Sequence, residues 1–192
     1  MTKITPLLTF ALLFAALSSA NLMADDAGNQ LQMTFGGMVK VPTCRVVIPE
    51  KIVVMPSALI ADFTPLNPGD LFAEKEFSVS VADCNGGEGN INQVVLYFEP
   101  KSGTYDSNFP AFKNDVGDAI QPRATGIGAV ITDERDDRNV TSSDQKPVAM
   151  TYDTEINPLG SEYNFIARYM KTSTTVTSGY FSSDVIITAT YQ

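Results

Sequence analysis

The chain has 192 residues, 44% of them hydrophobic and 18% charged, a balance too apolar for disorder and too polar for repeated membrane crossing. It contains no His and no Trp, which removes imidazole and with it most general-base, nucleophile-activating and zinc-binding designs. Thirteen Lys and Arg stand against 22 Asp and Glu, for a net charge of −9, the wrong sign for holding a phosphate backbone, so nucleic acid is not an expected partner.

The N-terminus reads Met1-Thr2-Lys3, then an apolar run over residues 7–17, then Ser18-Ser19-Ala20 and Leu22-Met23-Ala24. A charged start, a short apolar stretch and small residues near a cut have the form of a secretory signal peptide. The run is too short for a helix of roughly 20 residues to span a bilayer. Residues 1–24 are therefore set apart from the fold, with cleavage after Ala20 or Ala24 both compatible with the pattern. What remains is of a size for one domain.

Two cysteines, Cys44 and Cys84, remain in a chain that would meet an oxidising compartment, where two thiols in one domain pair. Closing a loop of about 40 residues stabilises by roughly 4 kcal/mol in the chain-entropy model. A redox or metal role would need closely spaced cysteines or His partners, which the sequence lacks.

Period-two alternation dominates the rest, and no useful length shows a 3.6-residue period, so the chain is expected to be all-β. The clearest runs are Leu31, Met33 and Phe35; Phe77, Val79 and Val81; Tyr163, Phe165, Ala167 and Tyr169; and Phe181, Val185, Ile187, Ala189 and Tyr191. Residues 94–98 and 126–131 read as further strands. Turn-rich stretches at 65–70 and 85–90 and a polar stretch at 132–146 separate them. Several such strands in one domain predict a β-sandwich.

Chemistry is sparse. Gly126-Ile127-Gly128 begins a dinucleotide fingerprint, but its third glycine is missing and Val130-Ile131 continues a strand. Asp133, Glu134, Asp136 and Asp137 could suggest calcium, yet Arg135 and Arg138 interrupt them and the EF-hand spacing is absent, so a solvated loop is expected. Asn139-Val140-Thr141 fits a glycosylation sequon by chance. No base stands beside a nucleophile, so no enzyme activity, catalytic residue, metal or cofactor is expected.

The two ends carry more. Residues 179–192 read as one long strand that opens on Gly179 and has Tyr191 before the final Gln192. At the other end, the polar tail of residues 25–30 leads into Leu31, Met33 and Phe35 on one face, and Gly36-Gly37 would let this segment swing out as an arm. Three such side chains offer on the order of 5 to 9 kcal/mol of gross burial, and each added ladder bond roughly 0.5 to 1.5 kcal/mol. Such an arm has the means to complete a marginal domain.

In these features the chain resembles the pilin subunits of chaperone-usher fimbriae, such as those of type 1 and P pili. The segment Phe35-Gly36-Gly37-Met38-Val39-Lys40-Val41-Pro42-Thr43-Cys44 is similar to the family's opening pattern. Cys84 sits where the second cysteine closes the bridge, and Gly179 and Tyr191 are similarly placed to the terminal β-zipper motif. The resemblance implies an incomplete immunoglobulin-like sandwich lacking its C-terminal strand, with an N-terminal donor-strand extension. It implies an arm at residues 25–34 and a pilin domain at residues 35–192. Leu31 and Met33 would be inserted into a neighbour, with Phe35 either the last inserted residue or the first core residue of its own domain. Counted back from Met33, the inserted face runs Leu31, Asn29, Ala27, with the glycine that family arms carry on that face displaced to Gly28 on the other.

The resemblance further implies that a periplasmic chaperone pairs with the groove strand, named here by Gly179, Phe181, Val185, Ile187, Tyr191 and Gln192, and grips the terminal carboxylate. At the outer-membrane usher, the arm of another pilin subunit would replace it, yielding a cell-surface fimbrium that supports adhesion. Room for one domain only argues against a tip adhesin and leaves shaft, adaptor and anchor subunits open. The rival expectation is a secreted, monomeric β-sandwich that binds a ligand or carbohydrate, which would need a complete sheet.

Overall fold

The computed structural model describes residues 43–85, 91–117, 119 and 122–192. Leu31, Met33 and Phe35, with the signal and arm segments, lie outside these residues. Among the described residues eight strands form two sheets. The larger has the order β1-β2-β7-β5-β4, built from β1 (Thr43–Val47), β2 (Leu71–Asn85), β7 (Glu162–Lys171), β5 (Ile127–Asp133) and β4 (Phe112–Lys113). The smaller has the order β6-β3-β8, built from β6 (Met150–Asp153), β3 (Gln93–Pro100) and β8 (Val185–Tyr191). A single helical turn, α1 (Ile60–Phe63), lies in the connection from β1 to β2.

The expected alternation builds the core. Val79 and Val81 of β2, Tyr163 and Phe165 of β7, and Val94, Leu96 and Phe98 of β3 are all buried and pack in one cluster between the sheets. β-Branched and aromatic side chains suit this pleated, half-buried surface. The rings of Phe98 and Phe165 meet edge to face at 4.7 Å across the sandwich, an arrangement aromatic pairs favour. β2 extends six residues further toward its N-terminus than the Phe77 alternation reveals, because a bulge between Phe72 and Glu74 shifts the register there. Ala73 occupies it at φ +51°, so Phe72 turns inward on an even position where the outward Glu74 and Glu76 follow.

Cys44 and Cys84 form the expected disulfide. It ties β1, whose ladder partner among the described residues is β2, to the body of the larger sheet. A register shift between Thr43 and Arg45 accompanies it, and the guanidinium of Arg45 pairs with the carboxylate of Asp83 beside the bridge.

The acidic stretch is the solvated turn expected from its composition at Glu134, Asp136 and Asp137, which are exposed, but not at its first residue. The side chain of Asp133 is fully buried, because the turn that follows β5 folds Arg135 back over it: the guanidinium donates to the carboxylate at 2.7 Å, and the hydroxyl of Tyr152 donates at 2.8 Å. Arg135 also sits 3.9 Å from the centre of the Tyr152 ring. Asp137 accepts from Thr132 and from Arg168 at 2.9 and 2.7 Å. These carboxylates staple a hairpin. The half-buried Asn139 donates its amide to the carbonyl of Pro110 at 2.9 Å.

Burial alone would push the Asp133 carboxyl up, but the hydrogen bonds from Arg135 and Tyr152 outweigh it and hold the group below its ordinary value. A carboxylate depressed in the folded state contributes stability that is complete above its unfolded value of about 4 and is lost as pH falls through the folded one. Denaturant midpoints at pH 7 and pH 3 should therefore drop on acidification. Asp133→Asn should start from a lower midpoint at pH 7 and lose less over the same interval.

Candidate acceptor groove

β8 is an edge. It bonds to β3 along its whole length, from Val94 opposite Tyr191 to Pro100 opposite Val185, and it has no second ladder partner among the described residues. Gln192 exchanges bonds with Gln93, and Lys101 donates to Asp184. Antiparallel pairing alternates residues that bond inward with residues that face away, so the backbone N–H and C=O groups of Val185, Ile187, Ala189 and Tyr191 point to the open side. The same four residues carry the inward side chains and are only half-buried, although they pack against the main core. Ile186, Thr188 and Thr190 face solvent.

Opposite β8 the chain runs on from β1 through residues 48–55. Val53 and Met55 turn inward while Ile52 and Val54 are exposed. Between these two walls lies an apolar groove with a cavity of about 560 Å³, floored by Phe77, Phe112, Ala129, Ile131, Ala167 and Tyr169. Small Ala129 and Ala167 among aromatic neighbours make its floor uneven, giving room for side chains of different size. At the far end of β8 the walls converge: the hydroxyl of Tyr191 donates to the carbonyl of Cys44 at 3.3 Å and spans them. Burial pushes the Tyr191 hydroxyl up from its usual value.

The other end opens. A second cavity of about 600 Å³ shares Met55, Tyr169 and Phe181 with the first and is walled by residues 56–60 and 176–181, with Phe63. The excursion carrying α1 is held here by Lys171, a buried lysine whose ammonium donates to the carbonyls of Phe63 and Leu66 at 2.9 and 2.7 Å. Phe63 meets Tyr169 edge to face, and Tyr169 meets Phe181 in the same way. This aromatic row joins the two cavities.

The long terminal strand expected over residues 179–192 is broken. Regular pairing starts at Val185, and Gly179, Tyr180 and Phe181 belong to a segment that crosses between the sheets. Tyr180 bonds there to Pro122 and Ala124. Asn114 pins the crossing from the side: its amide donates to the carbonyls of Ala124 and Tyr180, both at 2.8 Å, and its side-chain oxygen accepts the N–H of Ser182 at 3.1 Å. Phe181 lines both cavities, while Val185 and Ile187 line the first. Gln192 continues the ladder against Gln93. Sequence reasoning passed over Asn114, Lys171 and the wall at residues 48–55. Only the last left a trace, an apolar stretch between Pro49 and Pro56 in which a buried face alternates weakly with an exposed one.

The described strands thus form a two-sheet immunoglobulin-like sandwich with an apolar groove beside an edge strand. The model of the fimbrial protein family matches residues 31–192, and the chain belongs to that family, whose place is the surface fimbrium. A search of curated proteins gave no significant match. Among solved structures, the fold resembles the CupB6 tip adhesin from Pseudomonas aeruginosa, at 19% identity and TM-score 0.54 over 77% of this chain. The chain spans only 38% of that adhesin. It also resembles the P pilus rod subunit PapA, at 16% identity and TM-score 0.52 over 78% of this chain and 99% of that one. At these identities the likeness is one of fold.

Proposed function

We propose that this chain is a structural fimbrial subunit that is capped by a periplasmic chaperone and polymerises at an outer-membrane usher by donor-strand exchange, so that the fibre supports adhesion. The observation that carries this reading is the apolar groove lined on one side by the edge of β8 that has no second ladder partner among the described residues. An incoming strand gains ladder bonds from that edge and buries alternate side chains in the groove, the physics of strand addition. In the subunit-to-subunit junction the donor is the arm at residues 25–34 of a neighbour, with Leu31 and Met33 inserted and Phe35 at the boundary. In the subunit before assembly, a strand of the chaperone takes the same place against Val185, Ile187 and Tyr191.

The direction of the chain favours a donor from another copy. A chain's own arm joins β1 at Thr43, beside the end that Tyr191 spans, and would have to reverse sharply to run back into its own groove. A neighbour's arm meets no such constraint and can bond antiparallel to β8, the more stable pairing per residue.

The substitutions Leu31→Asp and Met33→Asp, made together, should leave the chaperone complex at normal yield and abolish incorporation into fibres, since two unpaired charges would enter apolar positions. Fibres of normal length from the double variant would refute the assignment of the arm.

A further inference from the structure

The inward face of β7, occupied by Tyr163, Phe165, Ala167 and Tyr169, ends on a charge. Lys171 is only 6% exposed, and the partners of its ammonium are the carbonyls of Phe63 and Leu66 rather than a carboxylate. Taking an ammonium out of water without an anion is costly, and an apolar side chain of similar length would fill the same space without that cost. What the ammonium adds is a hold on backbone, at and just past the end of α1, where a helical turn leaves carbonyls without intrahelical donors. The main chain of Lys171 bonds to the same loop, accepting from the N–H of Gly69 at 2.8 Å and donating to the carbonyl of Asp70 at 3.0 Å. One residue thus fastens residues 63–70 to the larger sheet.

We propose that Lys171 is a positioning residue for strand insertion: by fixing Phe63 it sets the place of Tyr169, and with it the floor of the groove's open half. The inference rests on the donor-strand reading and adds to it a residue that itself lines neither cavity. The Phe63 ring packs edge to face on Tyr169, with centres 6.3 Å apart, and on Phe72 at 5.3 Å. Tyr169 in turn meets Phe181 at 5.5 Å, and these two rings line both cavities.

Packed side chains pass a displacement on, whereas empty space absorbs it. Tyr169 borders the second cavity of about 600 Å³, and the Phe63 ring is what keeps it from sinking there. Once the ammonium no longer holds the Phe63 carbonyl, Phe63 shifts and Tyr169 follows. Donor side chains lying beside Val185 and Ile187 then lose the surface they pack on. The closed end is held independently, by the disulfide and by the bond from Tyr191 to Cys44, so the loss stays in the open half.

The test is hydrogen exchange in fibres assembled from the full chain, read residue by residue at the groove-facing amides of β8. In native fibres a bound donor protects Val185, Ile187, Ala189 and Tyr191 alike. Lys171→Met should speed exchange at Val185 and Ile187 about tenfold or more and leave Ala189 and Tyr191 within about twofold of native. Phe63→Leu keeps the carbonyl and removes the ring, so it should reproduce that pattern. Adding Lys171→Met to it should change little further, because the two act along one path. Where a variant alone yields no fibres, a minority of isotopically marked variant co-assembled with native chain gives the same reading. An equal rise at all four amides would make Lys171 a general stabiliser and overturn the inference, as would no change at any of them or full additivity of the two substitutions; in each case the donor reading stands. If the four amides are unprotected in native fibres, the donor reading fails and this inference fails with it.

Discussion

Gly179→Ala is expected to cost about 3 kcal/mol or more of stability, far beyond the usual penalty for a glycine replacement. Gly179 adopts φ +154°, and a Cβ there would lie 2.4 Å from the backbone nitrogen of Ala124 and 2.6 Å from the carbonyl oxygen of Pro122. Backbone cannot step aside as a flexible side chain would. The crossing segment would have to lift away from residues 122–124, breaking the bonds that Tyr180 makes there and moving Phe181, which floors the junction of the two cavities. Gly103→Ala provides the control. Gly103 also has a positive φ, +72°, but meets nothing within 4 Å, so its replacement should cost only about 1 kcal/mol. Thermal melts of both variants check the contrast, and equal shifts would remove the steric argument.

Removing the disulfide, by Cys44→Ser with Cys84→Ser, should lower the unfolding free energy by about 4 kcal/mol on the chain-entropy argument, a large fraction of what a domain of this size holds. The effect reaches the groove through a short path. β2 is the one ladder partner of β1 among the described residues, the β1 residue Cys44 presents the carbonyl to which Tyr191 donates, and the chain continues from it into the wall at residues 48–55. Without the bridge, that wall loses its covalent anchor and the groove loses its fixed width at the closed end. Denaturant midpoints give the first quantity. The affinity of the arm peptide for the variant gives the second, expected to fall more than a uniform loss of stability predicts.

The sandwich was legible wherever a stretch of strand keeps one register. The runs at Phe77, Tyr163 and Val185 do so, and each places its alternating side chains toward the core. Short strands were not legible: β4 has two residues and β6 has four, fewer than a period-two signal needs. The first part of β2 was hidden by the bulge at Ala73, which inverts the parity of Phe72. Residues 179–184 read as strand because they alternate, yet partners distant in sequence, Asn114 and Pro122, hold them in a crossing that no local pattern announces. Asp133 looked solvated because its neighbours are charged. Its burial depends on Arg135 turning back and on Tyr152 of another strand supplying a hydroxyl. For the site, the β8 edge and its inward residues could be read from alternation and position, whereas the opposing wall and the Lys171 anchor arise only from folding.

The most direct test of the account is the denaturant midpoint of the oxidised chain lacking residues 1–34, measured with and without a synthetic peptide of residues 25–39. The account predicts a low midpoint that rises strongly with peptide, by about 2.7 kcal/mol in unfolding free energy at a hundredfold excess over its dissociation constant. A chain that is already stable and cooperative alone, with a midpoint the peptide does not move, would mean that the sheet is complete and would contradict it.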